Sequence, residues 1–183
     1  MTVISLHSKT IYMQTQEIIA ETLQSFIESI TESTLLAMEE TNGVEPMLVF
    51  IYEKQDGRFD KAELFVGKLI DSQMGKDVLA QTLIPMCKKK ITDDGNIIHS
   101  VAFIHEAWAY EMPKGYVPKE NDDYRKIGIK TEKLMMSFHL KDEHLNFVYD
   151  MVRDKNDKVT LTNKVVQQEK YDDKRVGRFS KLM

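Results

Sequence analysis

The chain has 183 residues, of which 25 are Lys or Arg and 29 are Asp or Glu, for a formal net charge of -4. Hydrophobic residues make up 42% and charged residues 30%, which excludes wholesale disorder and leaves no global positive field to hold nucleic acid. The single cysteine, Cys87, excludes an internal disulfide framework and a cysteine-based zinc site.

At the start, Val3, Ile4 and Leu6 are interrupted by Ser5, His7, Ser8 and Lys9, so the apolar core of a signal peptide is missing. No stretch approaches the roughly 20 apolar residues that span a bilayer. The expectation is a cytoplasmic protein without a membrane partner, in which Cys87 is an inert thiol. The 11 methionines are scattered along the chain and are expected to pack in the core.

The first long element is helical. Leu23, Phe26, Ile27, Ile30, Thr34 and Met38 recur at three- and four-residue spacing on an otherwise polar cylinder. Ser8 or Thr10 is the expected N-cap, and Asn42-Gly43 the left-handed stop. A helix over residues 10–41 would be about 48 Å long. It therefore either breaks near Ser29–Ser33 or projects to meet another subunit.

Met47–Tyr52 is a continuous run of strong strand formers, expected as a central strand buried on both faces. Gln55-Asp56-Gly57 turns the chain into a second strand over Lys61–Val66. A second helix carries Val78, Leu79, Leu83, Met86 and Cys87, with Pro85 expected to kink or break it.

Three further strands follow: Ile97–Met112, Lys133–Leu140 and His144–Arg153, and then an edge strand, Val159–Val165. On Ile97–Met112, period two puts Ile98, Ala102, Ile104, Trp108 and Tyr110 on one face. His99, Val101, Phe103, His105, Ala107 and Ala109 take the other. The order α-β-β-α-β-β-β-(β) predicts an α+β fold. It consists of an antiparallel sheet of about five to six strands, with the long N-terminal helix and the second helix packed on one face. Residues 1–163 form the expected domain and 164–183 a basic arm. The arm holds six basic and three acidic residues, +3, against -7 for the rest of the chain.

No phosphate-cradling loop, dinucleotide fingerprint, nucleophile elbow or HExxH is present. The nearest to a catalytic cluster is His99, His105, Glu106 and Glu111. His99 and His105 lie about 20 Å apart along a strand, so they cannot share a metal directly. Glu106, between Ile104 and Trp108 on its face, should be partly desolvated and seek a cation. Arg125 and Lys126, in the 18-residue loop Pro113–Lys130, are the expected partners, pinning the loop to the sheet.

Glu106-Ala107-Trp108, a polar loop, Tyr124-Arg125-Lys126 and a following hairpin resemble small uncharacterised proteins of phages and prokaryotic mobile elements, over about residues 98–140. The resemblance implies no activity, cofactor or catalytic residue.

The leading expectation is a non-catalytic interaction or assembly module, contacting a protein partner or further copies of itself. Its contact residues are Trp108, Tyr110, Arg125 and Lys126, with Lys174, Arg175, Arg178 and Phe179 in the arm. No cofactor or metal is expected. The alternative is a metal-assisted or acid–base hydrolase built on Glu106, His105 and His139 or His144, with Arg125 holding an anionic substrate. A third reading is nucleic-acid binding through the arm and loop.

Overall fold

The computed structural model describes residues 22–117, 119 and 122–170. The expected caps Ser8 and Thr10, and the arm residues Lys174, Arg175, Arg178 and Phe179, lie outside the described residues.

Helix α1 runs over Leu23–Thr41. Its N-cap is Thr22, whose extended backbone ends any continuous helix from residue 10. The Thr22 hydroxyl accepts from the Ser25 amide, and the Ser25 hydroxyl accepts from the Thr22 amide. At 19 residues the helix is about 28 Å long, the width of a small domain. The expected break at Ser29–Ser33 does not occur. The buried Thr31 and Thr34 donate their hydroxyls to the Ile27 and Ile30 carbonyls one turn back, so the apolar stripe continues through them. Asn42 supplies the left-handed stop (φ 58°).

Six strands follow: β1 (Met47–Glu53), β2 (Phe59–Phe65), β3 (Ile97–Glu111), β4 (Ile129–His139), β5 (Glu143–Arg153) and β6 (Val159–Lys170). They form one antiparallel sheet in the order β2-β1-β3-β4-β5-β6. Between β2 and β3 lie a 3-10 turn (Gly67–Asp71), α2 (Gln73–Val78), a π turn (Leu79–Leu83) and α3 (Ile84–Asp93). The π turn answers the expectation at Pro85. The Ile84 amide donates to the Leu79 carbonyl five residues back, widening the turn just before a ring that cannot donate.

The fold class and element order are as expected, but the two helical units take opposite faces of the sheet. Met47, Val49 and Ile51 pack with Phe26, Ile27, Ile30 and Met38 of α1. Leu48 and Phe50 pack with Leu79, Ile84, Cys87 and Ile91 on the other side. An unbroken apolar strand has two apolar faces, so burying only one would leave Leu48 and Phe50 in water. Four methionines (Met38, Met47, Met136, Met151) are core residues, whereas Met74 and Met86 are exposed.

Strand β6 continues past Val165 to Lys170, so six residues of the expected arm, Val165–Lys170, pair with β5, as far as Lys170 opposite Glu143. A register shift opposite Ile51–Tyr52 also reverses the expected parity at the start of β3. Ile98 joins the α3 side with Val101 and Phe103, and His99 turns to the α1 side against the edge of the Phe59 ring. A bulge adds one residue, and that flips every side chain before it.

Candidate functional site

Strand β3 is longer than its neighbour β1. Pairing with β1 stops at Met47 opposite Ile104, while pairing with β4 continues to Glu111 opposite Ile129. Beyond Ile104, β3 therefore has no β1 residue on its outer flank and edges a ribbon with β4 and β5. This ribbon is three-stranded as far as Trp108, Glu132 and Met151 and two-stranded only over Ala109–Glu111 and Ile129–Thr131. Glu106, Trp108 and Tyr110 share the α1-side face of this ribbon, and His105, Ala107, Ala109 and Glu111 share the other. Trp108 is 59% exposed, with the Lys130 ammonium 3.7 Å from its ring centroid. That cation sits on the negative face of the indole and holds it in place without covering it. Glu132 lies directly opposite Trp108. Tyr110 is half-buried, because Gly128 at the end of the connecting loop crosses it so closely that an added Cβ would stand 2.9 Å from the Tyr110 Cβ.

The loop itself contains the single-turn helix α4 (Tyr124–Ile127), capped by Asp123, whose carboxylate accepts from the Arg125 amide. Arg125 and Lys126 are exposed, and Lys126 pairs with Asp123 at 3.4 Å. Ile129 and Val117, each 73% exposed, and Tyr124 at 43% add apolar area around the loop.

Glu106 does have a cation, but it is Arg153 on β5 rather than Arg125 or Lys126. One Glu106 oxygen accepts from the Val44 amide at 2.8 Å, and the other lies 3.6 Å from the Arg153 guanidinium. Arg153 also forms a fork onto Glu132 (2.8 and 3.1 Å) and donates to the Asn42 carbonyl at 3.0 Å. The Asn42 side chain accepts in turn from the Val159 amide. This network ties the end of α1 to β3, β4, β5 and β6. Sequence reasoning missed Arg153 and Glu132, although a signal was available. Period two places Arg153 on the face of Phe147, Tyr149 and Met151, and Glu132 on the face of Leu134, Met136 and Phe138. A charge at the end of a buried row needs a partner on the same face.

The imidazoles do not converge as the hydrolase reading requires. His105 lies opposite Met135 and His139 opposite Val101, a four-residue separation of about 13 Å along the sheet. His139 and His144 form a cross-strand pair with ring centroids 6.0 Å apart, and the His144 ring lies 3.6 Å from Glu169. His99 pairs with Glu53 at 2.9 Å. Glu106 and His105 are neighbours in sequence, but they point to opposite sides of the sheet. His105 stacks on Phe103 (centroids 4.3 Å), and its Nδ1–H donates to the Glu106 carbonyl at 3.0 Å. Burial holds its pKa below the ordinary histidine value, against the upward pull of that hydrogen bond. Among the described residues no three His, Cys, Asp or Glu side chains come together as a metal site.

On the face away from α1, Lys133 bridges Glu111 and Asp150, and the Asn163 amide donates to the second Asp150 oxygen at 2.8 Å. Burial pulls the Lys133 pKa down, but the two carboxylates hold it above the usual lysine value. The Lys133 ammonium and the Asn163 amide keep Asp150 below the usual carboxylate range. Among the described residues, no helix is long and apolar enough to cross a membrane. Neither a protein-family model, nor a curated protein, nor a solved structure matches this chain.

Proposed function

We propose that the protein is a non-catalytic interaction module whose contact surface is the projecting β3–β4 ribbon, with Trp108 as its anchor. The setting proposed with it, on the short Glu106-to-Lys126 resemblance, is that of a phage or mobile-element accessory protein.

The observation that carries the reading is the exposure of Trp108 on the part of β3 that runs beyond β1, backed on its other side by β4 and β5. Exposing the largest apolar side chain leaves on the order of 100–200 Å² of ring surface in water, a cost of a few kcal/mol that binding a partner recovers. Binding hot spots favour Trp, Tyr and Arg because such side chains bring large area and few rotatable bonds. Here the indole is already held by Lys130, so little ordering remains for the binding step. Tyr110 on the same face, and Arg125 and Lys126 on α4, complete an aromatic centre with a charged rim. The partner this chemistry fits is a protein surface offering an apolar pocket edged by carboxylates.

The test uses Trp108 as its own reporter, since it is the chain's one tryptophan. A photo-crosslinker at Tyr124 of the full chain captures the partner, and binding is then reconstituted with both proteins purified. Binding should blue-shift the Trp108 emission, and Trp108→Ala should weaken it at least tenfold, the size expected of a hot spot. An unshifted emission, or equal affinity of Trp108→Ala and the parent chain, would refute the reading.

A further inference from the structure

The two outer edges of the sheet are built differently. Along β2, Asp60 pairs with Lys54 and Lys61 with Glu63, each at 2.6 Å, so charge covers that edge. Such charge opposes the approach of another strand. Among the described residues, strand β6 has no comparable cover over Lys164–Gln168. Within that stretch Lys164 is the one charge, and its ammonium is drawn inward over the Phe147 and Tyr149 rings (5.1 and 6.0 Å). Val165 and Val166 are 48% and 51% exposed, on opposite faces of the strand.

A second feature points to what pairs there. One row of same-face residues crosses the sheet from Met47 through Ile104, Met136 and Phe147 to Val166, all directly opposite one another. The first four are buried, and the row ends at the outer edge on half-exposed Val166. Asn163 separates this part of β6 from the part under α1. Its left-handed backbone (φ 48°) forms a bulge, anchored to Asp150, after which Val165–Lys170 pairs regularly with Val148–Glu143.

We infer that the outer edge of β6 pairs antiparallel with β6 of a second copy, about a two-fold axis through Val166, to make one sheet running through both chains. A two-fold axis normal to a sheet keeps each face continuous, so opposed residues must lie on the same face, and the axis must pass through a residue position. Centred on Val166, the register sets Val165 against Gln167 and Lys164 against Gln168, and the ladder ends where the Asn163 bulge meets Glu169. No like charges meet, both valines fall inside the ladder, and the apolar row continues from Val166 into its copy. Centred one residue later, on Gln167, the register sets Lys164 against Lys170 of the other chain, which opposes like charges. The occupant is a second copy because the row is then extended by its own mirror sequence of Val166, Phe147 and Met136. This dimer goes beyond the Trp108 surface and does not depend on it.

The test is the mass of the full chain in solution, measured over a concentration series by sedimentation equilibrium. The expected result is a dimer, and Val166→Lys, which sets two ammonium groups against each other on the axis, should weaken it at least tenfold. Circular dichroism checks that the variant keeps its fold. A second arm places one cysteine per chain, in a Cys87→Ala background. Directly opposed Cα atoms in an antiparallel pair lie about 4.5–5.5 Å apart, within disulfide reach. Val166→Cys should therefore cross-link to itself on mild oxidation, whereas Thr160→Cys, on the far side of the bulge, should not. A monomeric parent chain would overturn the inference, as would a Val166→Lys dimer of unchanged strength. So would Val166→Cys cross-linking no faster than Thr160→Cys. The first of these results is the one expected if the chain's own residues 1–21 or 171–183 cover the edge instead.

Discussion

Replacing Arg153 with Met should destabilise the fold by about 2–4 kcal/mol. The side chain is 27% exposed, and it forms two hydrogen bonds to Glu132, itself 14% exposed, and one to the Asn42 carbonyl. Hydrogen bonds involving charged groups contribute roughly 1.5–3 kcal/mol each, and breaking a fully buried ion pair costs about 3–5 kcal/mol. Partial exposure and the sharing of one guanidinium among four partners, Glu132, Glu106, Asp157 and the Asn42 carbonyl, bring the total below the sum of its parts. Methionine preserves the apolar stem, so the loss measured is that of the fork rather than of packing. Urea unfolding followed by circular dichroism reads the change, with a fall in melting temperature of roughly 4–16 °C alongside it. A double-mutant cycle with Glu132→Gln should give a coupling of about 1–2 kcal/mol, and Arg153→Lys should lose about half of the total because a single ammonium cannot form the fork. A coupling under about 0.5 kcal/mol would refute the fork between Arg153 and Glu132 as a stabilising tie between β5 and β4.

Gly75→Ala should be more damaging than a helix propensity scale suggests. A Cβ built there would stand 2.1 Å from the Leu69 carbonyl oxygen, so α2 and the preceding 3-10 turn must separate, at about 1–3 kcal/mol; a variant of unchanged urea midpoint would contradict that close approach. The lowered pKa of His105 makes stability pH-dependent. The unfolded chain takes up the proton near pH 6.5, earlier than the folded one, so this contribution is full above about pH 6.5 and is lost as pH falls through the lower folded value. His105→Asn should flatten that part of the profile, and a His105 ring titrating by NMR at or above its ordinary value would rule the effect out.

Much of the fold could be read from the order of residue types. The apolar stripe from Leu23 to Met38, the Met47–Tyr52 run and the turn at Gln55-Asp56-Gly57 are local patterns, and local patterns determine element type because helix and strand periods differ. Even the two-sided burial of β1 was present in its sequence, although its consequence, helices on opposite faces, emerged only from the packed chain. The exposure of Trp108 was not legible in the same way. Its chain neighbours are Ala107 and Ala109 and period two groups it with Ile104 and Tyr110, and only the end of β1 pairing at Ile104 leaves it uncovered.

Partners across the sheet were decided by register, which the sequence does not state. One bulge between β1 and β3 turned His99 to the face of Phe59 and Glu53. The pairing of β4 with β5 brought Arg153, 47 residues away, to the carboxylate that the nearer Arg125 was expected to meet. Period two says which side of a sheet a residue faces. Only the alignment of whole strands, selected by the burial of every other row at once, says what stands beside it.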